Sequence, residues 1–165
     1  SQMPALSGNT AKDGDYQNIK TINSVGTSSW TDGSVKTGKT YYYKIKTVVK
    51  TQNGEQTSGF SNVKSAKAVP AKTTLKAKAS DAKNVKLTWS KVKGASGYEI
   101  YRSNSKDGKC SKVKTISKGS TTSYKNGKLK KSTTYYYKIR AYRKVNGKKV
   151  YGSYSSVVSV KTKAK

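Results

Sequence analysis

The sequence has no histidine and only 1 cysteine in 165 residues. Zinc, haem and Cys–His chemistry therefore lack their usual ligands. A Ser–His–Asp triad cannot be assembled. The lone Cys110 makes no internal disulfide, so cysteine usage says nothing about compartment. Proline is scarce at 2 residues, phenylalanine occurs once, and acids are few: 7 Asp+Glu against 35 Lys+Arg, a net charge of +28. No run of about 20 apolar residues occurs, so no membrane insertion is expected. Residues 1–10 lack the charged-then-apolar pattern of a signal peptide, and none is expected within this segment.

Tyrosine is abundant instead, with 13 residues. A hydrophobic fraction of 32% under high net charge is the composition of a disordered chain. Tyrosine opposes that reading, because it favours strands and buries a large ring. Together with much Lys, Ser, Thr and Val and little Leu, it predicts an all-β protein with a lysine-coated surface.

The chain repeats itself at an offset of 94 residues. Lys12-Asp13-Gly14 falls on Lys106-Asp107-Gly108, and Lys20-Thr21-Ile22 on Lys114-Thr115-Ile116. Thr40-Tyr41-Tyr42-Tyr43-Lys44-Ile45 falls on Thr134-Tyr135-Tyr136-Tyr137-Lys138-Ile139, and Phe60-Ser61 on Tyr154-Ser155. That period suits a small domain rather than a solenoid. The expected organisation is a partial copy at 1–68, a linker at 69–72 and a complete copy at 73–165.

Within the complete copy, apolar and polar residues alternate. Leu75, Ala77 and Ala79 make one strand, and Val85, Leu87 and Trp89 a second. Tyr98 and Ile100 point one way in a third, with Glu99 and Tyr101 pointing the other. Lys106-Asp107-Gly108 reads as a hairpin turn leading to a strand with Val113 and Ile116. Tyr124 marks a short fifth strand. Tyr135, Tyr137, Ile139 and Ala141 alternate with Tyr136, Lys138, Arg140 and Tyr142 in the longest one. Asn146-Gly147 turns into a last strand over Tyr154 to Val160. Seven short strands with frequent turns predict a β-sandwich. The inward set is Leu87, Trp89, Tyr98, Ile100, Val113, Leu129, Tyr135, Tyr137, Ile139 and Val157.

Leu87-Thr88-Trp89, Gly97-Tyr98-Glu99-Ile100-Tyr101-Arg102, Leu129 six residues before Tyr135, and the strand to Ala141 together resemble a fibronectin type III domain. The nearest flavour is that of tandem modules in secreted and cell-surface proteins of Gram-positive bacteria. The resemblance implies an immunoglobulin-like sandwich with sheets of three and four strands, and an extracellular or cell-surface location. It implies that Trp89 lies between the sheets. It also implies that Leu129 and Tyr135 form a corner in which the tyrosine hydroxyl bonds nearby backbone. The first copy matches only the later strands, with Tyr41 for Tyr135, Val35 for Leu129 and Trp30 for Tyr124. Pro4 falls where the second copy has Tyr98, a poor residue for a paired strand. The expectation is that the sequence starts partway through the first copy. Donation of strands by another chain and support from the second copy are the alternatives.

Chemistry is sparse. In the complete copy the acids are Asp81, Glu99 and Asp107, and two of these sit in turns. A glycosidase needs two carboxylates about 5–9.5 Å apart. Asp13 and Asp15 are too few for a calcium cage. Cys110 aligns with Tyr16 and reads as a small filler. No catalytic, metal or cofactor site is expected.

Charge is uneven. Residues 1–70 carry 9 basic and 4 acidic residues, and residues 71–165 carry 26 and 3. A surface at +23 attracts polyanions, although lysine also guards strand edges. The basic residues are 32 Lys and 3 Arg with no nucleic-acid motif, so no specific nucleic-acid partner is expected. The candidate ligand face is Tyr101, Tyr136, Lys138, Arg140 and Tyr142, partly repeated as Tyr42, Lys44 and Lys46. The expected function is a non-catalytic extracellular spacer that presents neighbouring domains of a larger bacterial protein. The alternative is a cationic adhesion module holding anionic cell-wall polymer or glycan through that face.

Overall fold

Period-two alternation organises the whole chain. The structure, a computed structural model, describes residues 2–24 and 26–165, and those residues form strands and loops with no helix. They divide into two compact units, 1–68 and 69–165.

The first unit is one five-stranded antiparallel sheet. Its strands are β1 (Gln2–Asn9), β2 (Gln17–Thr21), β3 (Thr40–Thr51), β4 (Gly54–Thr57) and β5 (Lys64–Lys67). Their order is β2-β1-β3-β4, with β5 also on β3. No second sheet faces it among the described residues of this unit. Pro4 lies inside β1, paired with Thr47. The strand tolerates it because the β1–β2 ladder begins one residue later, at Ala5 and Thr21, while the Pro4 carbonyl accepts from the Ile22 N–H at 2.9 Å. Proline has no N–H to contribute but keeps its acceptor.

The second unit has two sheets. β6 (Leu75–Ala79), β7 (Val85–Trp89) and β10 (Ser123–Asn126) form one, in the order β10-β7-β6. β8 (Gly97–Ser103), β9 (Ser111–Ile116), β11 (Thr134–Val145), β12 (Lys148–Tyr151) and β13 (Val158–Lys161) form the other. The inner faces meet in one core: Leu75, Val85, Leu87 and Trp89 against Tyr98, Ile100, Tyr135, Tyr137 and Ile139, with Leu129 at one end. Trp89 and Tyr98 stack with centroids 5.4 Å apart. Each such side chain contributes roughly 1.5–3 kcal/mol when fully buried. Pro70, in the expected linker, is buried in this unit.

The β11–β12 turn is a two-residue hairpin. Asn146 and Gly147 both take positive φ, 48° and 77°, the mirror-image turn whose twist matches paired strands. Asp107-Gly108, by contrast, lies within a longer loop between Ser103 and Ser111.

The expected last strand, Tyr154 to Val160, is corrected. Two pieces pair with successive halves of β11: β12 with Tyr142–Val145, and β13 with Thr134–Tyr137. Between them the Ser155 N–H donates to the Ile139 carbonyl at 2.7 Å, and the Ser155 hydroxyl accepts from the Ile139 N–H at 3.1 Å. A side chain thus does what the Ser155 backbone carbonyl would do in a regular ladder. The alternation breaks there, and Val157, expected inside, is 49% exposed. Ser61 repeats this contact with Ile45 in the first unit, at 2.7 and 3.0 Å.

Candidate functional site

The outer face of the β8–β11 sheet gathers the charged and aromatic residues. Register places Arg140 opposite Glu99, and Lys138 opposite Tyr101. The two-residue turn then folds β12 back so that Tyr151 pairs with Tyr142. Alternation sends Glu99 and Tyr101 away from the core side chains Tyr98 and Ile100.

Glu99 is the centre of this face, with its side chain only 1% exposed. It accepts from the Tyr101 hydroxyl at 2.8 Å, Arg140 at 2.9 Å, Lys149 at 3.0 Å, the Tyr151 hydroxyl at 3.1 Å and Lys112 at 3.4 Å. Burial by itself would raise its pKa. The hydrogen bonds from Tyr101, Arg140, Lys149 and Tyr151 together outweigh burial and hold the carboxyl at about 2. The same pairing pushes up Tyr101, through burial first and then its hydroxyl contacts, and pushes up Lys149 through Glu99.

The aromatic rings carry cations. The Arg140 guanidinium lies 3.7 Å from the Tyr151 centroid and 4.9 Å from that of Tyr154. Lys138 sits 4.4 Å from Tyr154, which meets Tyr101 edge-on at 5.2 Å. These contacts are the attraction of a cation to the negative face of a ring.

The five candidate residues do not form one open surface. Tyr136 and Lys138 are half-buried on this face, and Tyr101 and Arg140 are engaged with Glu99. Tyr142 is corrected: it is 1% exposed. Its partner across the ladder is Gly97, and the tyrosine hydroxyl donates to the Ile116 carbonyl at 3.3 Å. A Cβ at Gly97 would collide with the Ile116 carbonyl and stand 2.6 Å from that hydroxyl. The ring therefore fills the space that glycine leaves.

Sequence reasoning missed Glu99, Lys149, Tyr151 and Tyr154 as members of the cluster. One signal was present: Glu99 is the single acid of its unit that lies in a strand rather than a turn. The other three come from β12 and the break after it, which alternation did not reveal.

The core residues singled out from the sequence, Trp89, Tyr98, Ile100, Leu129, Tyr135, Tyr137 and Ile139, are all buried. The Tyr135 hydroxyl accepts from the Lys130 N–H at 2.9 Å, and Tyr41 repeats the corner with Lys36 at 2.9 Å. Cys110 is half-buried. Among the described residues no group of three or more His, Cys, Asp or Glu side chains gathers to hold a metal.

No protein-family model matches the chain, and no curated protein matches it in sequence. Solved structures do match in shape. The crystal structure of chicken CNTN1 FN1-FN3 domains superposes with a TM-score of 0.50 at 20% identity, over 98% of this chain. This chain spans only 56% of that one. The solution structure of the 6th fibronectin type III domain from human fibronectin type III domain containing protein 3 has a TM-score of 0.50 at 18% identity. It covers 61% of this chain and 92% of its own. At these identities the likeness concerns shape. The chain is all-β, with the immunoglobulin-like fold of fibronectin type III β-sandwiches.

Proposed function

We propose that this chain is a non-catalytic spacer and presentation segment of a larger extracellular or cell-surface bacterial protein. One observation carries the reading: the groups at the centre of the second unit's outer face are bonded to one another. Glu99 engages Arg140, Lys149, Lys112 and two tyrosine hydroxyls, and the neighbouring rings are capped by the chain's own cations. A ligand for Glu99, Arg140 or Lys149 has to displace those contacts before it gains any of its own there. Such a surface suits a stiff connector whose partners are the neighbouring domains of its parent protein. Titrating the protein with teichoic-acid-type polymer at physiological salt tests this. The expected result is weak attraction that fades as salt rises, without saturation. Saturable binding at that ionic strength sinks the spacer reading.

A second reading is favoured by Tyr136 and Lys138, which are not among the donors to Glu99 and keep part of their surface open. On it the chain is an adhesion module for anionic cell-wall polymer or glycan. Loss of saturable binding in Tyr136→Ala with unchanged melting supports it. Retention of binding in that variant removes it.

A further inference from the structure

The outer sheet faces of the two units are built on one register but hold different charges. In the second unit Glu99 stands opposite Arg140 and accepts from five donors. Its counterpart at the 94-residue offset is Ala5, which stands opposite Lys46 as Glu99 does opposite Arg140. The other donors change as well: Ser7 takes the place of Tyr101, Asn18 that of Lys112, and Thr57 that of Tyr151. Thr57 pairs with Val48 as Tyr151 pairs with Tyr142. The first unit thus keeps the cation of this face and lacks the carboxylate that holds it. Among the described residues neither Lys44 nor Lys46 is in an ion pair.

An open groove of about 350 Å³ takes the place of the Glu99 cluster. Its floor is apolar, made of Met3, Ala5 and Val48, all buried. Asn18, Thr21, Asn23 and Thr57 bring amides and hydroxyls to its walls, and Lys46 brings a cation. Glu55 and Lys50 line it too, 3.8 Å apart and mostly exposed. Their charges offset each other, so Lys46 sets the net charge of the groove. The Lys46 ammonium lies 5.4 Å from the Phe60 centroid, a weaker partner than a carboxylate. Among the described residues no aromatic ring lines the groove for a sugar to stack on.

We infer that this groove binds the carboxylate of a glutamate side chain carried by a peptide partner. The carboxylate pairs with Lys46, in the position that Glu99 holds against Arg140 in the second unit. The two methylenes of the glutamate stem lie on Met3 and Val48, which remove them from water. The amides and hydroxyls of the walls donate to the carboxylate or pair with the peptide backbone. A hydrogen bond between ionised groups is shorter and stronger than one between neutral groups. It gains further where the groove displaces water around it. The site belongs to the first unit and stands whether or not the second unit binds wall polymer.

The probe is the blocked peptide acetyl-Gly-Glu-Gly-amide, titrated into the isotope-labelled 165-residue protein. Magnetic resonance reads the backbone amides of Ala5, Thr21 and Lys46. Saturable shifts are expected at all three, and none from the same peptide with Gln in place of Glu. Lys46→Met should weaken binding by about ten-fold or more. Glu55→Gln removes a like charge from the groove and should tighten binding. Ala5→Glu puts a carboxylate into the groove from the chain itself and should abolish binding. Circular dichroism checks that the variants fold. Lys46→Met changes a half-exposed side chain and suffices if Ala5→Glu does not fold. Unchanged binding in Lys46→Met overturns the inference, as do equal shifts from the Gln peptide or no saturable shift at all. Tighter binding of glucuronate than of the peptide also overturns it, in favour of an acidic sugar.

Discussion

At the scale of single residues, Glu99 carries the largest electrostatic consequence. It is one acid in a unit of 26 bases, and its neighbours hold its pKa at about 2 against an ordinary 4.5. A depressed folded pKa stabilises above the unfolded value and is lost as pH falls through the folded one. The contribution is therefore full above about pH 4.5, vanishes toward about pH 2, and amounts to about 3 kcal/mol. Glu99→Gln should cost roughly that much at pH 7. It should also flatten the stability of the second unit between those pH values, as read by urea unfolding through Trp89. A slope equal to that of the wild type contradicts the assignment. Gly97 is the other sensitive residue. Gly97→Ala forces a Cβ into the Ile116 carbonyl and the Tyr142 hydroxyl. The cost should reach the upper part of the roughly 1–3 kcal/mol typical of overpacking, measured as a fall in the thermal midpoint. Alternation put Tyr142 on the outer side of its strand correctly. It did not reveal that a glycine across the ladder lets the ring lie down and become buried.

At the scale of elements, the recurring device is the corner before the longest strand. Tyr135 and Tyr41 each accept from a backbone N–H five residues earlier, Lys130 and Lys36. Removing the hydroxyl leaves that N–H without a partner. Tyr135→Phe should cost about 1–2 kcal/mol, since Tyr135 is itself buried. Tyr41→Phe should cost less, because water reaches the half-exposed Tyr41 site. Equal losses in the two units would refute the role of burial. Most strands were legible because period-two alternation is strong in Val85–Trp89 and Thr134–Ala141. The break between β12 and β13 was not. It depends on the Ser155 hydroxyl taking over a backbone contact with Ile139, and serine in a strand carries no signal of that use.

At the scale of the whole molecule, the two units have unequal burial on equivalent faces. The first unit leaves Ile45 at 45% exposure where the second buries Ile139 completely. Less apolar burial means less stabilisation, at roughly 25 cal/mol per Å² of apolar surface. Each unit carries one tryptophan, Trp30 at 37% exposure and Trp89 at 6%. Trp89→Phe isolates the signal of the first unit, and Trp30→Phe that of the second. Trp30 should emit further to the red and report the earlier denaturant midpoint. Coincident midpoints would contradict a difference in stability between the units.

The sequence alone determined the all-β class, the 94-residue repeat, the strand faces and the concentration of positive charge in the second unit. These follow from local alternation, self-similarity and counting, none of which needs a partner residue distant in the chain. Tertiary structure decided which outward residues are free. It drew Glu99 into a five-donor cluster, laid Tyr142 over Gly97 and turned Val157 to solvent. Each of these depends on what lies across a ladder or on the far side of a sheet, and alternation along one strand does not record that.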